Sequence, residues 1–216
     1  MSDSVNPNPA EGSASGSPLD WSKRQLIVGT GALAAAGVVA LFASGGVETA
    51  VRSMVGPTVQ SGNFSVYQGD YFFIPNYMTW RVGDLMTMTL HNSSPTHYHE
   101  MMIGKGFDYQ PSQLANLKVQ FHTDFWDGVH INVLQADSVD NYVENKAIIN
   151  TNSLPAPWLV KGAGQGNTSP TLMPGGTLVI QFTVPNKPGI WHYGCFVQGY
   201  IHYLAGMRGT INILPA

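Results

Sequence analysis

The chain has 216 residues, and only 11% of them carry a charge, well below the usual quarter. Ten Lys and Arg against thirteen Asp and Glu give a formal net charge of −3, which excludes the basic surface of a nucleic-acid-binding protein. The single Cys, Cys195, excludes intramolecular disulfide bonds, zinc sites built from several Cys and all-Cys iron–sulfur clusters. This thiol is therefore buried and inert, a nucleophile, or a single metal ligand.

The first 60 residues predict a membrane attachment rather than part of a folded domain. Residues 1–22 are mostly small or polar and predict a disordered tail. Next come Lys23, Arg24 and an uncharged stretch from Leu26 to Val47, which as a helix would measure about 33 Å and cross a bilayer. Residues 23–48 thus predict a transmembrane anchor or signal-anchor, and 49–60 a linker. Because the positive charges precede the span, the remaining chain is expected on the extracytoplasmic, periplasmic face.

Residues 61–216 predict an all-β domain. Apolar and polar residues alternate in Asp84–Leu90, Thr177–Val184 and Gly209–Leu214, as in half-buried strands. Further strands are predicted at Tyr71–Ile74, Tyr98–Ile103, His130–Leu134 and Ile190–Cys195. Pro and Gly separate these segments, which indicates an antiparallel sandwich or barrel, with an insertion around residues 105–170.

Three soft metal ligands follow one another near the C-terminus. Cys195 ends one predicted strand, His202 lies in the loop after it, and Met207 stands just before the next strand. A thiolate, an imidazole and a thioether favour copper, and a second His would complete a trigonal site with a weak axial Met. The alternatives are a chance grouping around an inert thiol, or a nucleophilic Cys–His pair, which lacks an orienting Asn or Asp nearby.

These residues resemble a known family. The segments Pro188–Trp191, Tyr193–Cys195 and His202–Thr210 are similar to the C-terminal ligand loop of the cupredoxins, the type 1 blue copper proteins. The stretch His202–Thr210 resembles that loop in auracyanin and sulfocyanin, which are membrane-associated. Six residues separate Cys195 from His202, an interval that resembles the oxidase-associated cupredoxins of acidophiles. The resemblance implies a Greek-key sandwich with one copper per chain, bound by Cys195, His202, Met207 and a further His.

Three histidines are candidates for the remaining ligand. The region from Val82 onward resembles the family segment in which the ligand precedes one polar residue and an apolar strand. His99, followed by Glu100 and then Met101–Ile103, fits this arrangement best. His97 has the same side-chain parity and remains an alternative, whereas His91 is expected to be structural or exposed. Glu100 is either a hydrogen-bonding brace of the site or a solvated charge.

A second group, His122, Asp124, Asp127 and His130, offers an alternative metal site, although polar residues of an insertion explain it more simply.

The family resemblance implies one-electron transfer between copper(II) and copper(I) in a respiratory or photosynthetic chain. Gly194 and Phe196 flank Cys195, so the adjacent His that leads to a catalytic copper in nitrite reductases and multicopper oxidases is missing. This favours a carrier over an enzyme.

The resemblance also implies where electrons leave and which partners receive them. Family members expose the His that corresponds to His202 through an apolar surface, here expected to include Ile201, Tyr203 and Leu204. The expected partners are a cytochrome c or a terminal oxidase. Two other functions stay open, a copper-binding subunit of a larger oxidase complex and a periplasmic copper chaperone or storage module.

Overall fold

The computed structural model describes residues 59–111, 116–162, 166–198 and 200–216. The predicted tail and membrane anchor, together with the linker up to residue 58, lie outside the described residues and stay predictions. In the part of the chain that is described, no helix has the length and apolar character needed to cross a membrane.

The secondary structure of the described residues consists of fifteen strands and one short helix, which confirms the all-β prediction. The strands are β1 (Gly62–Gly69), β2 (Phe72–Ile74), β3 (Tyr77–Arg81), β4 (Leu85–Asn92), β5 (His99–Glu100), β6 (Met102–Lys105), β7 (Asp108–Pro111), β8 (Asn116–Gln120), β9 (Thr123–Asp124), β10 (His130–Val143), β11 (Ile148–Asn150), β12 (Leu159–Val160), β13 (Ser169–Thr183), β14 (Gly189–Gly194) and β15 (Arg208–Leu214). The helix, α1, covers Ile201–Ala205.

The described strands form two main sheets and a hairpin. The larger sheet has the order β11-β10-β13-β4-β1-β2, with β12 beside β10 and β5 beside β13. The smaller sheet has the order β3-β15-β14-β6-β9, and β7 pairs with β8 alone. The sequence predicts an antiparallel arrangement, and most pairs are antiparallel, but β1–β4, β3–β15, β10–β11 and β10–β12 are parallel. Between β1 and β4 the chain passes through β3 of the other sheet, and this crossover returns β4 in the direction of β1.

Both sheets contribute to one hydrophobic core. On β4, Met86, Met88 and Leu90 are buried while the residues between them are only half-buried, as the period-two pattern predicts. The same alternation holds along the second half of β13 and along β15. Trp80 on β3 meets Phe182 on β13 with 5.5 Å between ring centroids, so the two inner faces pack directly on each other.

The region around 105–170 contains more strand than the sequence predicts. Strand β10 continues nine residues beyond Leu134, where the predicted strand ended, and this extension pairs with Ser169–Val179 of β13. Its register against β13 shifts three times. Such bulges interrupt the alternation of apolar and polar residues, and that is why the pattern did not reveal the extension.

Candidate metal centre

The loop from Cys195 to Met207, called here the ligand loop, connects β14 to β15 and is closed by its own main chain. The Cys195 N–H donates to the Met207 carbonyl (3.1 Å), and the Met207 N–H donates to the His202 carbonyl (2.9 Å). His202 lies on α1, which follows Tyr200 at φ 72° and ends at Gly206 at φ 120°. The apolar pattern of the sequence does not predict this helix, although a Gly with positive φ is a usual signal for a helix end.

His99 approaches from the larger sheet on a loop that Asn92 holds in place. The Asn92 side-chain nitrogen lies 2.8 Å from the His97 carbonyl oxygen and 3.0 Å from that of Leu172. The Ser94 hydroxyl accepts the His97 N–H at 2.9 Å. These bonds lead the chain from the end of β4 into β5, where His99 pairs with Leu172 of β13.

His99, Cys195 and His202 meet between the two sheets. The Cys195 Sγ lies 3.3 Å from Nδ1 of His202 and 3.9 Å from Nδ1 of His99, and the two Nδ1 atoms are 3.2 Å apart. All three side chains are fully buried. Their ligand atoms all lie within 4.8 Å of one another, close enough to bind one metal ion. Among the described residues, no other set of His, Cys, Asp or Glu side chains forms such a group.

This donor set fits a single copper ion per chain. Two imidazole nitrogens and one sulfur converge on one buried point, and copper is the metal that favours this combination of soft and borderline ligands. Both imidazoles direct Nδ1 toward the Cys195 sulfur, so His99 on β5 and His202 on α1 present the same ring atom to the metal position. The assignment of individual ligands remains a prediction, to be tested by substitution.

Burial keeps the three donors uncharged. It raises the pKa of the Cys195 thiol to about 12, and the charge of Glu100 contributes in the same direction. It also lowers the pKa of His99 to about 4 and lowers that of His202. A cation entering this centre would replace the thiol proton and find both imidazoles already neutral, which is the protonation state that metal binding requires.

Glu100 is a brace and not a solvated charge. It is buried, and its main-chain N–H donates to the Cys195 Sγ at 3.4 Å. Its carboxylate Oε1 accepts the Phe196 N–H at 2.7 Å. Burial raises the pKa of this carboxyl, while the bonds from Phe196 and Ser169 oppose the rise. Glu100 therefore connects β5 to both Cys195 and Phe196 by hydrogen bonds.

Met207 is fully buried in the core cluster that also contains Cys195. Its main chain is bonded to both Cys195 and His202, which places the residue beside the two other members of the ligand loop. Its predicted role as axial ligand is compatible with this position and remains a prediction.

The two other histidine candidates lie outside the cluster. His91 is half-buried on the opposite side of β4, where Nδ1 lies 3.1 Å from the Thr177 hydroxyl and the ring stacks on Tyr67. The His97 ring is partly exposed, and its Nδ1 lies 3.1 Å from the Asp70 Oδ1. The structure thus gathers His99, and neither of these, with Cys195 and His202.

The expectation of an exposed His202 edge is wrong, because the imidazole has no solvent-accessible surface. The Tyr71 ring lies edge-on to it with 5.3 Å between centroids. Tyr71 belongs to the turn between β1 and β2, so a residue remote in sequence covers the centre. Ile201 and Leu204 are exposed, at 54% and 52%, but Tyr203 is buried.

Tyr203 and Phe196 belong to an outer aromatic cluster that the sequence analysis did not identify. Its buried members are Met102, Phe121, Phe196 and Tyr203. The Phe196 and Tyr203 rings stack at 4.8 Å, and Phe121 meets Phe196 edge-on at 5.2 Å. The residues directly after Cys195 and His202 are therefore packed together, which fixes the shape of the ligand loop from its outer side.

The alternative metal site in the insertion is not assembled within the described residues. Asp124 is buried and accepts main-chain N–H groups of Trp126 (2.9 Å) and Thr168 (2.8 Å). His122 pairs instead with Asp108, at 2.8 Å. These side chains serve the local structure of the insertion.

Among known proteins, solved structures are similar to this chain, whereas no family model matches it and no curated protein does. Among solved structures, a reduced auracyanin from Roseiflexus castenholzii is 21% identical over 73% of this chain and 100% of its own, with a TM-score of 0.42. Auracyanin A of Chloroflexus aurantiacus, a blue copper protein, is 17% identical over 73% and 99%, with a TM-score of 0.37. A laccase from Pediococcus acidilactici is 13% identical over 73% of this chain and 29% of its own, with a TM-score of 0.40.

Proposed function

We propose that this chain is a cupredoxin, a one-electron carrier with a mononuclear type 1 copper site held by His99, Cys195 and His202, with Met207 as axial ligand. The observation that carries the proposal is the convergence of three fully buried donors within 4.8 Å. When bound in such a site, copper alternates between Cu(II) and Cu(I) and so accepts and donates one electron.

The protein's contribution is a rigid and dry cage. His99 on β5 and the ligand loop after β14 hold the donors, and the outer aromatic cluster packs against the ligand loop. The Glu100 N–H lowers the electron density on the Cys195 sulfur by donating a hydrogen bond to it. Because the donors are already together, little rearrangement accompanies a change of charge, as an electron carrier requires.

Complete burial of the donors favours a carrier over a copper chaperone or storage module. A delivery protein needs ligands that a recipient can reach and replace, whereas His99, Cys195 and His202 are all closed to solvent. A copper-binding subunit of a larger oxidase complex would use the same centre, and purification in mild detergent would separate that possibility from a free carrier.

The apolar end of the molecule next to His202 is the proposed docking face for a cytochrome c or terminal oxidase. Tyr71 covers His202 and is itself 40% exposed, and Ile201 and Leu204 on α1 are exposed beside it. An electron would pass between the partner and His202 across the Tyr71 edge. A small, mostly apolar face of this kind suits a transient contact.

The N-terminal sequence supports attachment to the membrane with the copper domain on the periplasmic face. The span Leu26–Val47 is long enough to cross a bilayer, and a tether would raise the local concentration of the carrier near membrane-bound partners. In fractionated cells, the full chain should sediment with membranes, while a variant without residues 1–48 should not. Equal sedimentation of both would contradict the anchor.

Copper titration of the purified chain tests the central proposal. We expect one copper per chain and an intense visible absorption from charge transfer between the Cys195 thiolate and Cu(II). Cys195→Ser should abolish this absorption and leave the β-sheet circular dichroism unchanged, since both sheets form without the thiol. His122→Ala, at the exposed pair with Asp108, is the matched control and should keep the full spectrum. A Cys195→Ser protein with the wild-type spectrum would overturn the assignment.

A further inference from the structure

A carboxylate outside the donor group reaches the metal centre from the turn between β1 and β2. Asp70 and Tyr71 form this turn, and the antiparallel pairing of Gly69 with Phe72 holds it in place. Tyr71 adopts φ 70°, a left-handed conformation that few side chains accept. The turn thus directs Asp70 toward His99 and Tyr71 toward His202.

Asp70 contacts the outer nitrogen of one imidazole. Its Oδ1 lies 3.4 Å from the Nε2 of His99, while the Nδ1 of the same ring faces Cys195 and His202. A carboxylate only accepts hydrogen bonds, so this contact requires the His99 proton on Nε2. Nδ1 is then left with its lone pair directed into the centre.

The carboxylate is itself held in place by its neighbours. The Ser94 side chain donates a hydrogen bond to Asp70, and the rings of His99 and His97 both lie within hydrogen-bond distance of its Oδ1. Asp70 is partly exposed at 41%, whereas the His99 ring it contacts is fully buried. His97 lies 3.1 Å from the same Oδ1 and so stabilises the carboxylate from the solvent side.

His202 has no equivalent support. Among the described residues, its Nε2 is buried without a hydrogen-bond partner, and its ring packs edge-on against Tyr71. The two histidines therefore differ in how they are oriented: α1 and Tyr71 hold His202 by packing, and Asp70 holds His99 by a charged hydrogen bond.

We propose that Asp70 is a positioning residue of the metal centre, which fixes the Nε2–H tautomer and the ring orientation of His99 so that Nδ1 is presented as the metal-binding atom. Carboxylates that bond the outer nitrogen of a metal-binding His commonly change metal affinity 10- to 100-fold when they are removed. The metal-affinity part of this proposal rests on the proposed copper site, and the tautomer part does not.

The tautomer is measured first, in the metal-free full chain, by long-range proton–nitrogen NMR of the His99 ring. We expect the proton on Nε2 in the wild type, a mixture of tautomers in Asp70→Ala, and retention of Nε2–H in Asp70→Asn, whose amide oxygen still accepts. A wild-type His99 protonated on Nδ1 would overturn the proposal whether or not the protein binds copper.

Copper(II) affinity is measured next on the same proteins. We expect Asp70→Ala to raise the dissociation constant about 10- to 100-fold and to alter the electron paramagnetic resonance spectrum, with Asp70→Asn much closer to the wild type. Asp108→Ala removes a similar carboxylate, which pairs with the exposed His122, and should leave both properties unchanged. A folded Asp70→Ala protein with wild-type affinity and spectrum would overturn the proposal. A wild type that binds no copper would instead contradict the proposed function.

Discussion

At the scale of single residues, His99 and His97 are two positions apart in the sequence, and only His99 lies in the candidate metal centre. The two residues share side-chain parity, yet His99 is fully buried with its Nδ1 at 3.9 Å from the Cys195 sulfur, and His97 points to Asp70 at the surface. Position, and not residue type, therefore distinguishes the proposed metal ligand His99 from His97, which contacts Asp70.

Substitution of these two residues provides a direct test. His99→Ala should lose copper or bind it at least tenfold more weakly, because one of three donors is gone. His97→Ala should retain one copper and the visible band, since the contact between Asp70 and His99 remains. Copper titration followed by absorption spectroscopy measures both. A colourless His97→Ala protein beside a coloured His99→Ala protein would reverse the assignment.

Met207 is the second residue whose role can be separated from folding. Axial ligands in such sites are weak and tune the potential more than they hold the metal. Met207→Leu should retain copper and raise the reduction potential, because a donor that helps to stabilise Cu(II) is removed. Met207→Gln should lower the potential, since an amide oxygen is a harder donor. Protein-film voltammetry gives both values.

Either of two results would contradict the role of Met207 as a weak axial ligand. Equal potentials in the wild type and both variants would exclude Met207 as a ligand. Loss of copper from Met207→Leu would show that this residue holds the metal rather than tunes it.

At the scale of elements, the smaller sheet accommodates Tyr193 only because Gly209 lies opposite. The two residues are partners in the β14–β15 pair, and the Tyr193 hydroxyl donates to the Pro75 carbonyl at 2.6 Å. A Cβ at Gly209 would overlap the Tyr193 phenol and lie 2.5 Å from the Asn76 carbonyl oxygen. Strand β15 therefore requires a residue without a side chain at position 209.

We accordingly expect Gly209→Ala to lower the free energy of unfolding by about 1–3 kcal/mol, the usual cost of overpacking a rigid site. Gly166→Ala is the matched control, because an added Cβ there meets no heavy atom within 4 Å. Urea denaturation of the metal-free chain followed by circular dichroism measures both variants. Equal stability of Gly209→Ala and the wild type would show that the sheet relaxes around the methyl group.

The parts of the fold and site that could be predicted are those in which local pattern and burial agree. Strands β4 and β15 and the second half of β13 alternate cleanly, and the order Cys195, His202, Met207 lies within one loop. The sequence could not reveal the burial of His202, because Tyr71 covers it from a remote turn. Nor could it reveal parallel pairing, since a period of two describes the faces of a strand and not the direction of its neighbour.

Helix α1 was missed for a different reason. Five residues cannot form a stable helix by themselves, so its existence depends on tertiary packing. His202 and Tyr203 are its buried residues, and Tyr203 packs on Phe196 and Phe121 of the outer aromatic cluster. The helix is thus a consequence of the folded core that surrounds the ligand loop.

At the scale of the whole molecule, the candidate metal centre draws its residues from two sheets that the hydrophobic core holds together. His99 comes from the larger sheet, and the ligand loop connects two strands of the smaller one. The proposed donor residues come together only in the folded state. Copper should therefore bind that state alone and stabilise the entire fold. Effects on intrinsic folding stability are therefore best measured on the metal-free chain.

His192 makes the stability of that chain depend on pH. It is half-buried on β14, beside Gly104 of β6 and Thr210 of β15. Burial lowers its pKa below the ordinary 6.5, and the charges of Lys105 and Lys118 lower it further. As the pH falls, the unfolded chain therefore binds a proton at this residue before the folded chain does. The stability associated with neutral His192 is fully present above about pH 6.5 and is lost as the pH falls through the lowered folded-state pKa.

The test compares His192→Gln with the wild type by urea denaturation of the metal-free chain between pH 7.5 and 5. The variant cannot titrate at this position, so its unfolding free energy should fall less on acidification, and the difference between the two proteins should change steadily below pH 6.5. Parallel curves for His192→Gln and the wild type would mean that the folded sheet accepts the proton on His192 without loss of stability.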